Sequence, residues 1–181
     1  TWMEVLQRWE KGDIPSIPFP ISKPFIWRTS CLTKGLSEFY REELIEDRRL
    51  KGLKQNYEPF KEKFDLTSKK KHCVAKPNLG KDSILVVPTL EKSKEFTNLF
   101  FFIKNASLEK QKAFWKQVAK EVKKMLKTHD RIWVNSPNLG VHYLHVRIDT
   151  KPKYYEDSEL KKTTDNKKVI ALYNKYLKEK L

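Results

Sequence analysis

The chain has 181 residues, the size of one domain, and its 38 Lys and Arg against 23 Asp and Glu give a formal net charge of +15. A hydrophobic share of 39%, with five Trp, seven Tyr and ten Phe, supplies enough apolar surface to offset the entropy of ordering the chain, which excludes a disordered polyelectrolyte. Two cysteines, Cys31 and Cys73, exclude a disulfide framework, and the longest apolar run, Leu99 to Ile103, is far below the ~20 residues that cross a bilayer.

In chain order, Trp2, Val5, Leu6 and Trp9 recur at helical spacing and predict a helix over residues 2–11, stopped by Gly12-Asp13. Pro15, Pro18, Pro20 and Pro24 forbid regular structure before a short strand at Phe25-Ile26-Trp27. Residues 38–54 carry no assignable period, and Tyr57 to Phe64 reads as a short helix. His72 to Ala75 and Ser83 to Val87 are β-rich segments separated by Pro77-Asn78-Leu79-Gly80, a strand, turn and strand. Phe96, Leu99, Phe100 and Ile103 form a second helical stripe. Ser107 then caps a long helix running to about Lys127, its buried face formed by Leu108, Phe114, Trp115, Val118, Val122, Met125 and Leu126. Ile132 to Val134 and Val141 to Asp149 are the next strands, joined by Ser136-Pro137-Asn138-Leu139-Gly140. An amphipathic helix over about 165–181, with Val169, Leu172, Tyr173, Tyr176 and Leu177 on its apolar side, closes the chain. The expected fold is a single α+β domain over residues 1–181, a mainly antiparallel sheet packed by the long amphipathic helix and further helices.

Two surfaces carry candidate chemistry. In an extended segment His142, Leu144, Val146 and Ile148 share one side and Tyr143, His145, Arg147 and Asp149 the other, with same-side neighbours roughly 7 Å apart. An imidazole, a guanidinium and a carboxylate thus share a face. In a functional reading Arg147 holds an anionic group, His145 moves a proton and Asp149 orients a partner, with Lys153, Tyr154 and Tyr155 covering the ligand. In the simpler reading the face is exposed to water or sealed by ion pairs. The second surface is a cationic ridge, Lys112, Lys116, Lys120, Lys123 and Lys127, repeating every three or four residues opposite the apolar stripe of the long helix. It suits phosphates without base readout, or is simply a solvated helix face.

Other chemistries find little support. His142 and His145 point to opposite sides of a strand and cannot share a metal ion, so no metal is expected. The five glycines form neither a dinucleotide fingerprint nor a P-loop, so no cofactor is expected either. The repeated Pro-Asn-Leu-Gly, ending at Gly80 and Gly140, is explained by turn chemistry.

The segments Leu139-Gly140-Val141, Leu144-His145-Val146-Arg147-Ile148-Asp149 and Pro152-Lys153-Tyr154-Tyr155 resemble a domain family of unknown function spread among bacteria, microbial eukaryotes and large viruses. Asn78-Leu79-Gly80 with Asp82, Leu85-Val86-Val87-Pro88 and Val5-Leu6 to Trp9 extend that resemblance along the chain. It implies no established activity. Members of the family tend to carry Trp-Glu where this chain has Trp27-Arg28, so the resemblance implies a weakened or non-catalytic version if that acid is a proton carrier in relatives.

The expected function is therefore a non-catalytic intracellular interaction domain, in a ribonucleoprotein or another acidic assembly, with RNA or acidic protein as partner. The alternative is an enzyme acting on an anionic or phosphate-bearing small substrate through His145, Arg147 and Asp149. Cysteine usage places the protein in a reducing compartment, the cytoplasm or an organelle reached after removal of a targeting peptide.

Overall fold

The computed structural model describes residues 2–16, 25–27, 71–77, 83–89, 99–125, 132–134, 144–149 and 167–181. These contain helices α1 (Trp2–Glu10), α2 (Leu99–Asn105), α3 (Leu108–Met125) and α4 (Lys167–Lys180), and strands β1 (Phe25–Trp27), β2 (Cys73–Pro77), β3 (Ser83–Pro88), β4 (Ile132–Val134) and β5 (Val146–Asp149). The architecture is α+β. The second expected helical stripe forms α2, where Leu99, Phe100 and Ile103 are buried; Phe96, the expected helix over 57–64 and most of both Pro-Asn-Leu-Gly turns lie outside the described residues.

The apolar, mostly β-branched run Ile84 to Val87 occupies the centre of a three-stranded antiparallel sheet in the order β2-β3-β5. Pairing sets Ala75 opposite Val86 and Val86 opposite Val146, with Pro77, Ile84 and Ile148 in the next row of the same face. That face meets α3: the Cys73 thiol donates to the Ala113 carbonyl at 3.7 Å, and Val86, Val146 and Ile148 belong to the main core with Phe114, Trp115, Val118 and Val122. At the open end of the β2–β3 hairpin, the Thr89 hydroxyl donates to the Lys71 carbonyl at 2.6 Å and the Thr89 N–H to the His72 carbonyl at 3.0 Å.

One strand expectation needs correction. Of the segment expected as a strand from Val141, Val146–Asp149 forms β5 and Leu144 and His145 are outside it, while residues 141–143 lie outside the described residues. The Ile132 to Val134 strand forms as expected and pairs in parallel with β1, Phe25 opposite Ile132 and Trp27 opposite Val134. The pairing partner of β4 comes from more than a hundred residues upstream. Local turn chemistry carries no information about such a pairing.

Ser107 caps α3 as expected, its hydroxyl accepting from the Lys110 N–H at 3.2 Å. The buried face of α3 differs from the expected stripe. Leu108 and Met125 are half-buried and Leu126 lies outside the described residues, whereas Lys110, Gln111 and Glu121 are buried. Gln111 explains part of this. Its amide nitrogen donates to the carbonyls of Ile103 and Ala106, both at 3.1 Å, satisfying acceptors that the end of α2 leaves without helical partners. The buried Glu121 carboxylate accepts from Gln117 at 2.9 Å and from Lys124 at 2.9 and 3.1 Å, so its charge is compensated by its own helix.

A chain of rings joins three helices: Trp9 to Trp115 at 5.2 Å, Trp115 to Phe114 at 5.1 Å and Phe114 to Phe102 at 5.2 Å. Phe100 meets Tyr173 edge-on at 6.3 Å and brings α4 to the same core. Burial of each of these side chains contributes about 1.5–3 kcal/mol.

Candidate functional site

Of the polar strand residues, the pairing places Arg147 opposite Leu85 and Asp149 opposite Ser83, on the sheet face turned away from α3. The apolar members of that face, Val74, Leu85 and Val87, are buried. It is therefore not an open, solvated face, which corrects one of the two simple readings. Its strand β3 is central and presents side chains to cover on both sides. His145 is 1% exposed, and Arg147 is half-buried. An imidazole sealed to that degree does not meet a substrate directly. The Asp149 side chain, His142, Lys153, Tyr154 and Tyr155 fall outside what the structure describes.

Sequence reasoning missed Ser83, which is 2% exposed and stands across from Asp149. Only the register of β3 against β5 links the two, and register is set by tertiary pairing.

The lysines divide into two groups. Lys112, Lys116 and Lys120 are exposed, and no ion pair engages any of them among the described residues. Lys123 is half-buried and bonded to the Glu10 carboxylate of α1 at 2.5 Å. Lys127 lies outside the described residues. Lys124, absent from the expected ridge, is exposed but tied to Glu121 on the same helix. Successive lysines four apart on a helix rise by about 6 Å, comparable to the separation of neighbouring phosphates along an extended strand. The one exposed acid on this stretch, Glu109, turns to His72 at 3.4 Å. Of the four ridge lysines among the described residues, three are available and Lys123 is engaged.

On α4, Lys167, Lys168, Lys175 and Lys178 are exposed, while Tyr173 and Leu177 face the core. This helix adds positive charge to the surface. The described residues contain no group of three His, Cys, Asp or Glu arranged to hold a metal ion. Cys73 is partly buried, and burial pushes its thiol up to about 11, with the Lys110 ammonium pulling weakly the other way. A thiol held so far above neutrality is a poor nucleophile at neutral pH. No described helix is long and apolar enough to cross a membrane.

A search of curated proteins and of solved structures found no match to this chain. The model of a family described as "Family of unknown function (DUF6940)" matches residues 1–161. The chain belongs to that family. The DUF6940 match contains both candidate surfaces, the α3 lysines and the His145 to Asp149 segment. It ends before α4, although Tyr173 and Leu177 of α4 are part of the same hydrophobic core as the DUF6940 segment.

Proposed function

We propose that this protein is a non-catalytic interaction domain that binds a phosphate-rich polyanion, RNA in the first instance, through the solvated lysine face of α3. The observation that carries this reading is the set of Lys112, Lys116 and Lys120, exposed on one helix face and not engaged by any acid of the described residues, in a chain of formal charge +15. Ammonium groups on flexible stems attract phosphates as point charges and read no base edges, so the binding is weakly sequence-specific and strongly salt-dependent. The reading places the protein in a ribonucleoprotein or another acidic assembly, in a reducing intracellular compartment.

The enzyme alternative, acting on an anionic small substrate through His145, Arg147 and Asp149, has less support. A proton carrier must reach the reacting atom, and His145 is buried.

Fluorescence anisotropy of a labelled single-stranded RNA against the intact protein, over a range of salt, tests the proposal. Three phosphate contacts give a slope of log K against log salt of about −2, from about −0.7 for each contact on a single strand. Replacing Lys112, Lys116 and Lys120 together by Gln is expected to abolish most of that slope. Binding that ignores salt, or that survives the triple substitution unchanged, overturns the reading. A preference for an acidic peptide over RNA at equal salt would redirect it to an acidic protein partner.

A further inference from the structure

The α3 lysine face has a neighbour that bears on its use. Helix α1 packs against α3 through Trp9 and Trp115, and its C-terminal end reaches the lysine row. Gly12, with φ of 102°, turns the chain there, and a Cβ at that position would stand 3.6 Å from the Lys112 side chain. Glu10, two residues earlier, holds Lys123. At 100° per residue, Lys123 lies about 20° around α3 from Lys112, whereas Lys116 lies about 40° and Lys120 about 80° away. Lys112 and Lys123 therefore border α1, and Lys116 and Lys120 occupy the open middle of the face. The end of α1 brings negative character to that border twice, through the Glu10 carboxylate and through the carbonyl end of its helix dipole.

We propose that the C-terminal turn of α1 is a built-in competitor for the polyanion: Glu10 withholds Lys123 from the binding face, so Lys116 and Lys120 make the central contacts and Lys123 makes none until Glu10 is neutralised or displaced. This rests on the polyanion-binding role and deepens it by naming how affinity is restrained. Both occupants of Lys123 are anions. An ion pair between partly exposed groups is weak enough for a phosphate to exchange with it.

The test uses the full chain and single-stranded RNA, with thermal melting to check each variant. Glu10→Gln is expected to tighten binding by roughly two- to fivefold, the range set by the worth of a surface pair, and to steepen the salt slope by about 0.7, one further phosphate. Glu10→Gln combined with Lys123→Gln is expected to return to the wild-type value. Lys123→Gln alone should not tighten binding, since that ammonium is already engaged and its loss leaves the Glu10 carboxylate uncompensated beside the face. Glu179→Gln, which removes the same charge from the exposed surface of α4, should leave it unchanged too.

Equal tightening by Glu10→Gln and Glu179→Gln would mean a general charge effect and overturn the inference. So would an unaltered Glu10→Gln, or a tightening in Lys123→Gln. In each of those cases a weakened Lys116→Gln, Lys120→Gln variant leaves the binding role itself standing. No weakening in that double variant overturns both.

Discussion

The Tyr173 hydroxyl donates to the Pro15 carbonyl at 3.2 Å, inside the core, joining positions 158 residues apart. Tyr173 also packs edge-on against Phe100 of α2, so one side chain ties α4 to α2 and to the segment that follows α1. Burial pushes its hydroxyl well above the ordinary tyrosine value, which keeps it a donor at all physiological pH.

Tyr173→Phe keeps the ring and deletes the donor. It leaves a buried carbonyl without this partner and is expected to destabilise the protein by about 1–3 kcal/mol, read as a lower urea midpoint with an unchanged m-value. An unaltered midpoint would mean that Pro15 finds water instead.

Gly12 closes α1 in the left-handed region, where the Lys11, Gly12 and Asp13 N–H groups bond back to Gln7, Trp9 and Arg8 carbonyls at 3.0, 3.1 and 3.0 Å. The Cβ of Gly12→Ala has room, at 3.6 Å from its nearest neighbour, so the penalty is backbone strain alone, about 1–2 kcal/mol. Gly12→Asn should lose less, because Asn tolerates this conformation. Equal losses for both would locate the effect in side-chain packing.

Cys73 makes stability depend on alkaline pH. Its ordinary value of 9.0 in the unfolded chain rises to about 11 on folding, so the folded state holds the proton more tightly. The contribution is fully present below pH 9 and is lost as pH rises through 11. Tyr173 acts in the same direction from its own ordinary value of 10.0 upward. Chemical denaturation at pH 8, 9, 10 and 11 is expected to show a decline that is smaller in Cys73→Ala. At pH 8, alkylation of Cys73 in the folded protein is expected to be much slower than that of the same thiol in urea.

His145→Ala separates the two functional readings. Removing a buried imidazole is expected to lower stability by about 1–3 kcal/mol while RNA affinity at constant salt stays at the wild-type value. Loss of affinity in a variant that remains folded at the assay temperature would instead make the polar strand face part of the binding surface.

Much of the fold is legible along the chain because its signals are local. Trp2 to Trp9 states its own helix period, Gly12 its stop, Ser107 its cap, and Ser83 to Val87 its extended form. Each depends on side chains within one or two turns of one another. The α3 stripe is legible for Phe114, Trp115, Val118 and Val122, but not for Gln111. Nothing near Gln111 shows that its amide will meet the carbonyls at the end of another helix.

The candidate sites depend still more on what comes from elsewhere in the chain. By itself the sequence determined the net charge, the element types and the lysine period of α3, because composition and spacing are properties of the chain. Which of the described ridge lysines remain available was decided by tertiary structure: α1 arrives from more than a hundred residues away and places Glu10 on Lys123, leaving Lys112, Lys116 and Lys120 among the described residues. Burial of His145 was decided the same way. Alternation along a strand tells which side chains share a face, and only packing of the sheet decides whether that face meets water or protein.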